Sequence, residues 1–381
     1  MGLSKTIWTE PSEHLRAHQP EDPVLYFAPA ILQATARRFI EGFPGVVTYA
    51  VKSNPDEVVL SNLVAAGVFG FDVASPAEME TISRIAPGAA MHYNNPVRAR
   101  HEIETAVRLG CVSYSVDSHS ELEKLIALVP AENTEITVRF KLPVDGAAYN
   151  FGAKFGATAE KAAVLLARVA EAGFIPSLTF HPGTQCTDPM AWDAYLRKAA
   201  WIAEEAGVKI ARLNVGGGFP SHRTQGELPQ LEAIFALIDR VTGEAFGEDR
   251  PVLVCEPGRG LVAESYSFAI RVKAIRDDEH VFMNDGVYGA LDELPLIGNI
   301  NRIDVMSPNA EPRKGEKVGR ICFGPTCDSV DRLPGELMLP SDMQEGDYML
   351  VHGLGAYSVA TMTRFNGFGN IVTETVYNFG T

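Results

Sequence analysis

Residues 46–75 read VVTYAVKSNPDEVVLSNLVAAGVFGFDVAS: a β-favouring run, a run with helical period, and a second β-favouring run. Asn54-Pro55 ends the first run, Asp56 stands where a helix is capped, and Gly67 stands where it stops. A strand, a capped helix and another strand in this order form a parallel β-α unit. The first strand ends on Lys52. Lysine is almost never fully buried without a partner. At such a place it either snorkels into solvent or is desolvated, loses its proton and serves as a nucleophilic or imine-forming amine.

The same unit recurs. VVTYAVK, VFGFDVAS, AAMHYNN, CVSYSVDS, EITVRFKL, PSLTFHPG, ARLNVGGG and PVLVCEPGR make eight β-rich runs between residues 46 and 259. Helical segments such as PAEMETISRIA, SELEKLIALVP and DPMAWDAYLRKAAWIAEEAG separate them. Eight β-α units in this span predict an α/β fold with a closed (β/α)8 TIM barrel over residues 28–264. Beyond residue 260 strand-like pieces (SFAIRVKAI, HVFMND, GRICFGP, DYMLVHG) are joined by Gly, Pro and Asp turns. They predict a mostly antiparallel β domain over 265–381, joined by residues 1–27 through the early strand PVLYF.

The bulk properties narrow the function. The chain has 381 residues and a formal net charge of -15, which disfavours nucleic acid or an anionic membrane as partner. Its five cysteines (Cys111, Cys186, Cys255, Cys322, Cys327) show no CxxC spacing, so neither a disulfide framework nor a structural metal site is expected. No apolar run is long enough for a membrane span. These features predict a soluble protein of a reducing compartment, read as cytoplasmic.

Polar residues gather at the C-terminal ends of the predicted strands, the active-site face of a barrel. They are Lys52, Asp72 with Ser75, Asn94 with Asn95, Asp117, Arg139, His181, Gly216 to Gly218, and Glu256 with Arg259. Ser75, Asn95 and Asp117 also suit helix capping. NVGGGFP and EPGRG follow strands seven and eight, where barrels commonly bind phosphate. Consecutive glycines let backbone N–H groups close on an anion, and Arg259 adds a charged contact. A phosphate site beside a strand-end lysine points to pyridoxal 5'-phosphate held by Lys52 as an imine. Glu256 is then placed to keep the pyridine nitrogen protonated. His181 is placed to lie flat on the ring, although a hydrogen-bonded structural histidine also fits there.

YAVKSNP, GFDVASPAEME, NNP, VDSHSEL, KFG, FHPGTQC, NVGGGFP, EPGRGLVAES, NDGVYGAL, GPTCDSVDRL, GAYS and FNGF occur in this order. Together they resemble the ornithine/diaminopimelate/arginine decarboxylases of the alanine-racemase-like fold, the ornithine branch most. The resemblance implies a homodimer whose active sites lie between the barrel of one subunit and the β domain of the other. It implies that Lys52 is the imine-forming lysine, with His181 stacked on the ring and Glu256 on the pyridine nitrogen. The phosphate falls to Thr184, Gly217, Gly218, Gly258, Arg259 and Tyr357. Asp72, Glu78 and Arg139 lie near the cofactor. Cys327 is the proton donor from the partner subunit, and Asp328 contacts substrate.

The implied reaction is decarboxylation of a basic L-amino acid, ornithine to putrescine first, lysine or a near relative second. A racemase of the same fold would usually pair the pyridine nitrogen with arginine, and Glu256 opposes that reading. One departure bears on the substrate. The ornithine enzymes place a Tyr-Asp pair after NDGVYG to hold the distal ammonium; here ALDELPLIGNI puts Ile297 at that Asp. A desolvated cation needs an opposite charge, so either Asp292 or Glu293 supplies it, Asp328 suffices, or the far end of the substrate is not a simple ammonium. HPGTQ and His352 are further departures expected near the site.

Overall fold

The structure, a computed structural model, describes residues 6–143, 154–226 and 228–380. The chain divides into two compact units, Ala36–Pro220 with Pro229–Leu261, and Met1–Thr35 with Ser221–Leu228 and Val262–Thr381.

The first unit is a parallel barrel. Its strands Gly70–Val73, Ala90–Tyr93, Ser113–Val116, Glu135–Arg139, Ile175–Thr179, Arg212–Asn214 and Val252–Cys255 pair in chain order. The expected first strand is split into Val46–Val47 and Tyr49–Ala50. Val46–Val47 pairs with Val252–Cys255 and Tyr49–Ala50 with Gly70–Val73, so the two pieces close the ring from opposite sides. Thr48 at the break donates its N–H (2.8 Å) and hydroxyl (3.1 Å) to the Cys255 carbonyl. The predicted eight runs thus become a sheet of nine short strands.

The strands read apolar on the face that meets the helices. Phe71, Met91, Tyr93, Tyr114, Val116, Ile136, Val138 and Leu213 are all buried there. Rings anchor the loops that leave the barrel. Phe219, just after the triple glycine, stacks on Trp192 at 5.2 Å and meets Phe39 and Phe235 edge-on. Phe180, just before His181, stacks on Tyr195 at 4.5 Å. Offset and edge-on ring pairs add about 0.5–1.5 kcal/mol each beyond burial, which fixes the loops that carry polar groups.

The second unit is a mixed sheet around the long strand Tyr266–Arg276. That strand pairs antiparallel with Val24–Phe27, His280–Met283 and Tyr348–His352. Three pairings are parallel instead: Ile7–Trp8 and Val24–Phe27 with Val372–Val376, and His280–Met283 with Lys317–Phe323. The sheet is therefore mostly antiparallel, as its turn-rich sequence predicts. Leu15, Val24, Tyr26, Tyr348, Leu350 and Val376 form part of its core. Among the described residues no helix is long and apolar enough to cross a membrane.

Candidate active site

Two groups of expected residues are assembled, one in each unit. In the barrel, Lys52 does not end a strand. It sits on the 3-10 turn Val51–Ser53 that follows Tyr49–Ala50. Its side chain is 49% exposed, and Nζ lies 3.6 Å from Oδ2 of Asp72, which is 5% exposed. The deeply desolvated lysine allowed by the sequence is not found; a half-open amine faces a buried carboxylate.

Glu256 is held by two side-chain amides. Asn94 Nδ2 donates to its Oε2 at 2.7 Å and Asn214 Nδ2 to the same oxygen at 2.9 Å. Oε1 has no hydrogen bond among the described residues. Ser115 donates to Asn94 Oδ1 (2.8 Å), and Gly216 N–H to Asn214 Oδ1 (2.9 Å), so both amides are fixed with their N–H groups toward the acid. Burial and the charge of Asp72 push the Glu256 carboxyl up to about 7, against Lys52, the Asn214 bond and Arg139. Glu78 also rises to about 7, mainly by burial, although the Ala74 N–H donates to it at 2.7 Å.

His181 is neutral. Burial, then the charges of Arg139 and Lys52, hold its imidazole well below the usual range. Gly183 N–H donates to Nδ1 at 3.0 Å, which leaves the ring proton on Nε2. Arg139 lies over the Phe155 ring at 5.4 Å.

The glycine loop passes other backbone too closely for side chains. A Cβ at Gly217 would lie 2.8 Å from the Glu256 carbonyl oxygen and 3.2 Å from His181 Nε2. At Gly218, with φ +82°, it would lie 2.1 Å from the Gly183 carbonyl oxygen. A Cβ at Gly258 would meet Ser53 at 2.9 Å. Cys186 N–H donates to the Gly218 carbonyl at 2.9 Å and joins the His181 loop, with part-buried Thr184, to the glycines. Buried Arg259 follows Gly258. A bare-backbone loop beside a buried guanidinium, a neutral flat imidazole, a fixed acid and a reachable amine fit pyridoxal phosphate.

Ser75, Asn95 and Asp117 serve the scaffold. Ser75 caps Pro76–Ile85, Asn95 Oδ1 accepts from Val97 N–H, and Asp117 accepts from Gly156 N–H at 2.9 Å. Asn214 was missed by the sequence reading, and its signal was a lone amide in the apolar run before the triple glycine. Arg98 was missed too. It is 3% exposed and donates to the carbonyls of Tyr93 and Ser115, the strand ends that carry Asn94 and Ser115.

In the second unit, Cys327 is exposed and Asp328 accepts the Tyr288 hydroxyl at 2.6 Å. Both line a cavity of about 710 Å³ with Lys273, His280, Phe323 and Asp331. Asp292 and Glu293 do not line it. They lie before the short helix Leu294–Ile297, and the charge of Asp292 helps raise the buried Asp285 to about 7 after the larger effect of burial. His352 is likewise outside that group: it bonds to Ser267 (2.7 Å) and Asp304 (2.9 Å). Tyr357 is part-buried at φ +62° in the segment after Tyr348–His352.

The raised carboxyls predict a pH effect on the cofactor-free protein. Glu78, Glu256 and Asp285 have ordinary values of 4.5, 4.5 and 3.8 and folded values of about 7. Between those limits the folded chain holds protons that the unfolded chain has released, so these groups lower stability as pH rises toward about 7. Denaturant midpoints of the cofactor-free protein are expected to fall from pH 5 to 7.5, and less steeply in Glu256→Gln. An identical fall in that variant contradicts the burial argument.

Residues 30–263 match the family model described as pyridoxal-dependent decarboxylase, pyridoxal binding domain. The chain is 30% identical to mouse ornithine decarboxylase over 355 residues, covering 87% of this chain and 75% of that protein. Its structure is similar to the arginine decarboxylase of Paramecium bursaria Chlorella virus bound to agmatine (TM-score 0.86, 26% identity, 96% and 98% of the two chains). It is also similar to the Vibrio vulnificus lysine/ornithine decarboxylase complexed with cadaverine (TM-score 0.82, 28% identity, 96% and 97%). The chain belongs to the fold type III, pyridoxal-phosphate-dependent decarboxylases of basic amino acids.

Proposed function

We propose that the chain decarboxylates L-ornithine to putrescine, as a cytoplasmic homodimer in which each β domain completes the partner's active site. The observation that carries the reading is the fixed acid Glu256 near Lys52 and Asp72, in a chain that also carries Cys327 and Asp328 side by side. Lys52, Asp72, Arg139, His181, Thr184, Gly217, Gly218, Gly258, Arg259 and Tyr357 hold the cofactor in this reading. The chemistry supplied by bound pyridoxal phosphate is electron withdrawal, toward the pyridine nitrogen, of the pair left on Cα when carbon dioxide departs.

The chain's own residues set the direction of that chemistry. Glu256 would hold a proton on the pyridine nitrogen, while Asn94 and Asn214 hold its Oε2 and keep the carboxylate in place. His181, kept neutral, offers a flat face without adding a charge that would oppose the electron flow. Lys52 would hold the cofactor from a position open enough for exchange, with its Nζ 3.6 Å from Asp72. Cys327 delivers a proton to Cα so that the amine forms. Asp328, held ionised by the Tyr288 hydroxyl and the Val330 N–H, receives the distal ammonium of the substrate.

Lysine is the second reading: in an ungapped reading Ile297 stands where the ornithine enzymes carry the distal acid, and lysine differs from ornithine by one methylene. Ornithine, lysine, arginine and diaminopimelate are to be compared for carbon dioxide release, with the amine identified by mass spectrometry. Putrescine as the fastest-formed product is expected. Silence on every basic amino acid overturns the substrate assignment. A racemised, undecarboxylated product overturns the reaction as well.

A further inference from the structure

The segment that carries Cys327 is braced from both sides by buried Asp331. Oδ1 of Asp331 accepts the Val287 N–H at 2.9 Å; Oδ2 accepts the Thr326 N–H at 3.0 Å and the Thr326 hydroxyl at 2.7 Å. This fixes the main chain of Pro325-Thr326 against the Gly286–Gly289 turn. It does not fix the Cys327 side chain, which projects from an exposed residue. A second contact does that. Asn366 Oδ1 accepts both the Cys327 N–H (3.2 Å) and the Cys327 thiol (3.3 Å).

Asn366 is itself unusual. It has φ +53° and ψ +14° within the turn Phe365–Gly367. Asparagine tolerates this left-handed conformation better than most residues. Its neighbour Phe365 packs on the Tyr288 ring at 4.8 Å, and Tyr288 donates to Asp328. Thr363 ties the same turn to Tyr288 by donating its N–H (2.9 Å) and hydroxyl (3.0 Å) to the Tyr288 carbonyl. The turn Phe365–Gly367 therefore reaches Cys327 directly through Asn366 and Asp328 through Tyr288. One element sets the geometry of both adjacent residues.

We propose that Asn366 is the positioning residue for Cys327: its side-chain oxygen holds the protonated thiol in one rotamer, so that the proton reaches Cα and not the cofactor carbon. The inference rests on the reading of Cys327 as proton donor. An amide oxygen only accepts, so the bond forms with the thiol and not with a thiolate. The thiol is thereby aimed. A freely turning thiol would deliver its proton less selectively, and the misplaced proton would give, on reaction with one water molecule, an aldehyde and a cofactor amine.

Asn366→Gly tests this without strain, because glycine adopts the left-handed conformation freely, and Asn366→Asp restores an acceptor. The first readout needs no cofactor: the rate of iodoacetamide labelling at Cys327, the exposed cysteine among four buried ones, followed by peptide mass spectrometry. Labelling is expected to rise about twofold to tenfold in Asn366→Gly, the worth of one neutral hydrogen bond, and to stay near the parent rate in Asn366→Asp. The second readout is the ratio of aldehyde to amine formed from the substrate, expected to rise several-fold in Asn366→Gly. A labelling rate unchanged in Asn366→Gly overturns the inference whatever the activity does. Cys327→Ala separates the two levels: if its aldehyde ratio does not move, the proton-donor reading fails, even where Asn366→Gly has released the thiol.

Discussion

Lys52→Ala is expected to lose on the order of 10⁴-fold or more in kcat/KM, as removal of a group central to a catalytic unit does, while its stability stays within about 0.5 kcal/mol of the parent. The two halves of this expectation have separate causes. The Lys52 side chain is half exposed and lies 3.6 Å from Asp72, so its truncation opens no core cavity. It does remove the one amine placed beside Asp72 on the turn Val51–Ser53. It also leaves buried Asp72 without its nearby cation, at a small cost because the lysine is half open to solvent. Lys52→Arg is expected to be as inactive, because a guanidinium stays protonated. The checks are the absorbance of cofactor retained after gel filtration, steady-state rates and a denaturation midpoint. A Lys52→Ala protein that retains turnover contradicts the assignment.

Glu256→Gln is expected to lower carbon dioxide release by about 10²–10³-fold, the usual cost of removing one preorganised electrostatic contact. Glutamine keeps the shape, and its side-chain oxygen still accepts from Asn94 and Asn214. What disappears is the negative charge proposed to hold a proton on the pyridine nitrogen. The effect should therefore fall on kcat, with cofactor affinity changed far less, because the glycine loop and Arg259 are untouched. Asn214→Leu is a milder form of the same change, since it removes one of the two amides that hold Oε2. Rates measured with saturating cofactor decide the matter. Retention of more than a tenth of the parent rate in Glu256→Gln contradicts the role given to this acid.

The barrel was legible because its signals are local. Period-2 and period-3.6 runs, Asp and Ser caps and terminal glycines recur in phase, and the pairing of neighbours follows from chain order. The split at Thr48 was not legible, since VVTYAVK reads as one continuous run. The break arises where the ring closes: the strand leaves Val252–Cys255 and joins Gly70–Val73. Lys52, Asp72, His181 and Glu256 stood out as polar residues at the ends of apolar runs, and the barrel gathers such ends on one face. Asn214 did not stand out, because an amide in a strand carries no charge and only its contact with Glu256 reveals its use.

The β unit was less readable for a topological reason. Its contacts join segments far apart in sequence, such as Val24–Phe27 with Val372–Val376 and Cys327 with Asn366. Neighbourhood in the chain therefore gave no sign of the contacts made by Tyr288 and Asn366. Asp328 was picked from its motif, and its carboxylate orientation comes from Tyr288, forty residues earlier.

Borohydride reduction of the cofactor-loaded enzyme, followed by proteolysis and mass spectrometry, tests the central assignment most directly. A pyridoxyl group on the peptide that contains Lys52 is the predicted result. Its recovery on another lysine, with Lys52 unmodified, contradicts the placement of the cofactor at the mouth of this barrel.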